Sequence, residues 1–261
     1  MLKLSKGSEP FESYVITTYP SRWANVVVLT HCLTRIRAMN TAIAISKRYK
    51  LALLSLCFMS CVAVGMVATR VVITREKVFI GLVWNLFLAW LPLLFALAAA
   101  RSRRWLMWAG FTAAWLLFFP NAPYILTDII HFYPRDHAPY WYDLVLILSF
   151  AWTGFLLGYL SLYITQKRVT QLFGSIVGWG FTLVSLALGS FGIYLGRIQR
   201  YNSWDVLTQP SDLLYDIYDR VRHPFSHLRT YGMSLLFLVL MLGIYLTMYA
   251  FTHLPREQET N

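Results

Sequence analysis

Six apolar runs, each long enough to cross a bilayer, divide this chain, and nearly every ionisable side chain falls between them. They span roughly Tyr49–Thr69, Val78–Ala99, Trp105–Phe119, Tyr142–Thr165, Leu172–Leu195 and Tyr231–Phe251. A run of about 20 apolar residues at ~1.5 Å rise matches the ~30 Å hydrocarbon core. The sequence is 57% hydrophobic and 13% charged, where soluble domains carry about 25% charged residues. The pattern predicts an all-α polytopic transmembrane bundle of about six spans. The first run is too long for the apolar core of a cleavable signal sequence, and no small-residue cleavage site follows it. The third, short before Pro120, reads as a tilted helix or the first half of a broken one.

The net charge of +11 does not point to nucleic acid, because the basic residues bracket the apolar runs. Lys47, Arg48 and Lys50 precede the first, and Arg101, Arg103 and Arg104 follow the second. Such residues orient helices and meet lipid headgroups, so the expected partner is the bilayer. With the N-terminus inside, the cytoplasmic segments are the tail to Lys50, the Arg101–Arg104 loop, a Gln166–Arg168 turn and the C-terminus. They hold 14 of the 23 Lys and Arg residues. Arg70, Arg75 and Lys77 in the first external loop, and the stretch Arg197–Arg229, weigh against this. The rule still favours cytoplasmic termini, because long loops count little.

Residues 47–253 read as the transmembrane domain, 254–261 as a tail and 1–46 as an N-terminal extension without a span. Met39 opens a stretch that resembles an ordinary start, so the upstream residues are expected to be a misassigned start. Cys32, Cys57 and Cys61 form no CxxC or His-spaced pair, which argues against a disulfide scaffold or thiolate zinc site. Small buried hydrophobes are the simpler account of Cys57 and Cys61.

Glycines recur at close spacing in two runs: Gly154 and Gly158 in the fourth, Gly174, Gly178, Gly189, Gly192 and Gly196 in and after the fifth. Glycines four apart let a neighbouring backbone approach. They are expected to form helix–helix seams within the chain, with a homo-oligomer or membrane partner as a second use. Trp84, Trp105, Trp108, Trp141 and Trp179 lie mostly near span ends, as interfacial aromatics do.

Three segments could carry chemistry. In Phe118–Phe132, Pro120 and Pro123 end the third helix. Asn121 can cap a following helix, with Pro123 in its first turn. That helix would set Tyr124, Asp128, His131 and Arg135 on one stripe. Irregular backbone at membrane depth must pack in protein or face water, so the segment is expected to line a polar pocket. Asp128 and His131 are the candidate acid–base pair, the carboxylate orienting the imidazole. A structural ion pair and a metal half-site with Asp136, His137 or Asp143 are the other readings. No third ligand stands at a diagnostic spacing, so no metal site is assigned, and the cofactor is left open.

In Gly192–Asp205, two arginines three apart end a glycine-lined helix. Arg197 and Arg200 can hold a carboxylate or phosphate bidentately, and Trp204 can stack on a ligand. Arg197 lies close enough to the membrane to require an acidic partner, Asp128 or Asp205. Asn121, Tyr124, Arg197, Arg200, Asn202, Trp204 and Asp205 are the candidate substrate-binding residues.

In Ser211–Arg220, Leu213, Leu214, Ile217 and Val221 form an apolar stripe opposite Asp212, Asp216 and Asp219. Ser211 reads as the N-cap after Pro210. The segment is expected to be an amphipathic helix on the membrane surface or over the bundle. Its acids lack the glycine and terminal glutamate of a calcium loop. Six spans put the third and fifth loops on one side. Asp128, His131, Asp136, His137, Asp143, Arg197, Arg200 and Asp205 then face one compartment, which the charge rule makes non-cytoplasmic.

On FFPNAPYILTDIIHF at Phe118–Phe132, WYDL at Trp141–Leu144, GYLSLY at Gly158–Tyr163 and GIYLGRIQRYNSWD at Gly192–Asp205, the chain resembles a bacterial membrane family known as domain of unknown function 1361. The resemblance runs from about Val78 to Phe251. It implies a multi-pass protein of the bacterial inner (plasma) membrane and supplies no catalytic residues. The spans lack mid-membrane charges, which argues against ion-coupled transport. The leading expectation is therefore an outer-face site for a small or lipid-linked anionic substrate. A partner-binding or assembly subunit and a passive channel are the alternatives.

Overall fold

A computed structural model describes residues 49–133 and 139–253, without the side chain of His131. The chain divides into two units, Met1–Ala52 and Leu53–Asn261. The N-terminal extension with Met39, and the tail from residue 254, lie outside the described residues. All regular structure among the described residues is helical. Six helices are long and apolar enough to cross a membrane: Tyr49–Thr74, Ile80–Arg101, Trp105–Ile130, Tyr140–Phe173, Ser175–Gln199 and Pro224–Thr252. The protein is an all-α integral membrane bundle of six candidate spans.

We label α1 (Tyr49–Thr74), α2 (Ile80–Arg101), α3 (Trp105–Phe118), α4 (Asn121–Tyr124), α5 (Tyr140–Phe173) and α6 (Ser175–Tyr194). Then follow α7 (Asp205–Thr208), α8 (Pro210–Arg222) and α9 (Leu228–Thr252). The central helix is α5, with 61% of its apolar window buried against 17% for α1 and 11% for the last span. A helix apolar all round, like these outer two, needs lipid around it. Cys57 and Cys61 are accordingly exposed on α1 rather than buried.

Two boundaries depart from the sequence reading. Arg70 is not a loop residue: α1 continues to Thr74 and buries Arg70 to 3% exposure. Gln166–Arg168 is not a turn either, for α5 passes through it. Two of its polar groups find partners inside the bundle: Gln166 Oε1 accepts from the Tyr245 hydroxyl, and Arg168 Nη2 donates to the Ser102 carbonyl at 3.4 Å. The reversal comes instead at Gly174, whose φ of +92° suits a residue without Cβ.

The third span is broken, as its prolines require. After α3 the chain keeps helical angles through Phe119 and Pro120, forms the single turn α4, and tightens into a 3-10 stretch at Ile125–His131. Asn121 does not cap: its Nδ2 donates back to the Phe118 carbonyl at 3.0 Å. Glycines from two helices grip this break. A Cβ on Gly154 of α5 would lie 2.9 Å from the Ala122 carbonyl oxygen, and one on Gly192 of α6 would lie 2.6 Å from Pro120 Cγ. These seams receive a broken segment, not another regular helix.

The inner side of α8 also differs from expectation. Pro210 opens the helix and Ser211 lies inside it. Leu213 is buried, whereas Leu214 and Val221 are 65% and 69% exposed. The inward face is polar: Asp216 accepts from the Tyr201 hydroxyl at 3.2 Å, and the buried Arg220 pairs with Asp216 at 3.5 Å. The Arg220 guanidinium sits 5.7 Å from the Tyr194 ring. Asp216 and Arg220 turn toward protein partners while Leu214 and Val221 turn outward, and Asp212 and Arg222 stay exposed.

Candidate functional site

One end of the bundle gathers residues 75–79, 132–133 and 200–223. Here Arg197, in a five-residue π turn continuing α6 (Leu195–Gln199), meets the 3-10 stretch. Its Nη2 lies 2.6 Å from Asp128 Oδ1, and its Nε and Nη2 donate to Thr127 Oγ1 at 2.9 and 2.6 Å. The second carboxylate oxygen of Asp128 accepts from Asn85 Nδ2 of α2 at 2.9 Å. The Arg197 guanidinium also lies over the Tyr124 ring, 4.7 Å from its centre. A buried ion pair persists only when its remaining donors and acceptors are met, and here three elements meet them. Of the two acids expected to answer Arg197, Asp128 does so. Asp205 instead closes its own turn, accepting from the Asn202 N–H at 2.6 Å and the Thr208 hydroxyl at 2.9 Å. The Asn202 N–H, aided by the Thr208 hydroxyl, holds the Asp205 carboxyl below its ordinary value against the opposing effect of burial.

A second ion pair at the same end ties α1 to α5. Arg70 donates to both Asp143 oxygens at 2.9 and 3.5 Å, and its Nη2 reaches Glu76 at 3.3 Å. Asp143, expected as a spare metal ligand, is thereby neutralised. Among the described residues no three His, Cys, Asp or Glu side chains converge as a metal would need. Asp136, His137, Arg135 and the His131 side chain lie outside the description.

In front of the Asp128–Arg197 pair lies an open pocket of about 240 Å³. Its polar wall includes Asn85, Asn121, Tyr124, Tyr201, Asn202 and Ser203; its apolar wall includes Trp84, Leu88, Leu116, Leu117 and Val206. Asn121 Nδ2 donates to Ser203 Oγ at 2.9 Å, and Ser203 in turn donates to the Leu117 carbonyl, joining the break to the last loop. Of the sequence candidates, Asn121, Tyr124 and Asn202 line the pocket. Asp128 and Arg197 stand behind Asn85 and Tyr124. Trp204 is at the rim, edge-on to Trp84 at 6.4 Å. Arg200 is exposed, with φ +63°, next to the lining residue Tyr201. Sequence reasoning passed over Asn85, Ser203 and Trp84. Asn85 had a signal: an amide inside an apolar run wants a partner.

No curated protein and no solved structure matches the chain. The family model described as "protein of unknown function (DUF1361)" matches residues 84–246, from Trp84 and Asn85 at the pocket into α9, and the chain belongs to that family.

Proposed function

We propose that this integral membrane protein binds a small or lipid-linked anionic substrate in the pocket at the Asp128–Arg197 end of the bundle. The carrying observation is a concave polar wall at the edge of an otherwise apolar bundle, backed by a buried ion pair, the default setting for a membrane-protein site. The charge of Arg197 is balanced by Asp128, so its part is to hold Thr127 and Tyr124 in place. Arg200, which makes no side-chain ion pair or hydrogen bond among the described residues, supplies the positive charge for an anion beside Tyr201 and Asn202. Asp128 orients through both oxygens, and His131, three residues on, is the group left to move a proton.

This reading sets the site on the non-cytoplasmic face of a bacterial plasma membrane, with both termini cytoplasmic. The support is the count of Lys and Arg over the whole sequence, 14 of the 23 on the expected cytoplasmic side; among the described residues the site end itself holds Arg70, Arg75, Lys77, Arg197, Arg200, Arg220, Arg222 and Arg229. The bacterial source rests on the family resemblance alone.

The test uses the full chain in phosphatidylcholine discs doped with phosphatidic acid. Native mass spectrometry should find the anionic lipid retained by the wild type and released by Arg200→Gln. Equal retention by the two proteins would remove the anion site. The alternative, a partner-binding or assembly subunit, is favoured by the low burial of the last span and by the open space at Gly232 and Gly243. A second copy or another membrane helix would seat there.

A further inference from the structure

We infer that the pocket selects a hydroxyl-rich head group, glycosyl or polyol, on a lipid whose chain stays in the bilayer. The inference rests on reading this pocket as a substrate site and adds what the site reads.

Three amides in the wall have their orientation fixed by their partners. Asn85 Nδ2 faces the Asp128 carboxylate, Asn121 Nδ2 the Phe118 carbonyl, and Asn202 Nδ2 the Asp205 carboxylate at 3.4 Å. Each partner only accepts, so each of these nitrogens must be the donor and the amides cannot be flipped. Their three Oδ1 atoms accept no hydrogen bond from the described residues. The Tyr124 hydroxyl likewise makes none. A wall with three amide oxygens repels bare phosphate oxygens and pairs with O–H groups, and its Tyr124 hydroxyl donates as well as accepts. It therefore complements hydroxyls, and leaves any phosphate to Arg200 at its edge.

The rim fits the same chemistry. Trp84 and Trp204, 54% and 37% exposed, meet edge-on at the mouth, and an indole face packs against the C–H side of a polyol ring. Leu88 and Leu116 add aliphatic groups to the lining. The volume of about 240 Å³ lies below the ~300–1,000 Å³ of pockets that engulf a whole drug-sized ligand. It holds a head group and leaves an acyl or isoprenoid chain in the surrounding lipid.

Phosphatidylinositol, phosphatidic acid and phosphatidylcholine separate the components. The first two share the anion, and only the first carries a ring of hydroxyls. In discs containing all three, the full chain should retain phosphatidylinositol over phosphatidic acid by about tenfold or more. Asn202→Ala and Trp84→Ala should each reduce that preference several-fold. Both positions are exposed, and Asn202→Ala keeps the backbone bond to Asp205, so folding is preserved. Equal retention of phosphatidic acid would overturn the hydroxyl reading and leave the anion site standing. Retention of neither above phosphatidylcholine would overturn both. Displacement of the lipid by equimolar water-soluble glycerophosphoinositol would overturn the lipid-borne half and make the free head group the ligand.

Discussion

Two arginines at the site end do opposite things to sequence expectation. Arg197, placed just past a glycine-lined helix, needed an acid; the sequence narrowed the partner to Asp128 or Asp205, and only the fold chooses Asp128. Arg70 was not legible, because a single arginine at the end of an apolar run looks like the first loop residue; only the fold reveals that Asp143 covers it. Its burial makes a strong prediction. Asp143→Asn leaves the Arg70 charge, 3% exposed, without its main counter-ion, at a cost of about 3–5 kcal/mol. Thermal unfolding in detergent should show a lower midpoint, and Arg70→Met with Asp143→Leu should recover much of it; an unchanged midpoint in Asp143→Asn would contradict the pairing. Acidity supplies another test. The Asp205 carboxyl is held below its ordinary value by the Asn202 N–H, so the folded state favours its ionised form. That stabilisation is complete above the unfolded pKa of about 3.9 and is lost as pH falls through the lower folded value. The stability difference between wild type and Asp205→Ala should stay flat from about pH 8 to 5 and shrink below about pH 4.

At the scale of elements, hydropathy exposed all six spans, since a ~30 Å apolar medium imposes a length that composition alone can report. It misplaced one reversal. The polar triplet Gln166–Arg168 looked like a turn, whereas the chain turns at Gly174, where backbone geometry and not polarity decides. The pattern of α8 likewise gave two stripes but could not say which faces outward, because that depends on whether protein, lipid or water stands on each side. The glycine spacing was readable as a seam; its occupant was not. Gly154→Val would drive a branched side chain into the Ala122 carbonyl and Ile125, an overpacking worth about 1–3 kcal/mol. Gly243→Ala, with nothing within 4 Å of the added Cβ, should instead gain up to about 1 kcal/mol from helix propensity. Opposite shifts in unfolding midpoint are the expected result. Two losses would mean that α9 is covered as well.

For the whole molecule, orientation decides which compartment sees the pocket. In a chain lacking native cysteines, single cysteines at Gln209 and Arg104 occupy exposed positions at opposite ends. An impermeant reagent applied to intact cells should label Gln209→Cys and spare Arg104→Cys; the reverse would turn the molecule over without altering the pocket. The broken third span carries a consequence for its ion pair. Its regular helix has 14 residues, about 21 Å at ~1.5 Å per residue, short of the ~30 Å hydrocarbon layer. The break, which keeps helical turns as far as Ile130, supplies the remainder. Its ion pair is therefore solvated by the protein itself: Asn85 and Thr127 stand in for the water that lipid cannot provide.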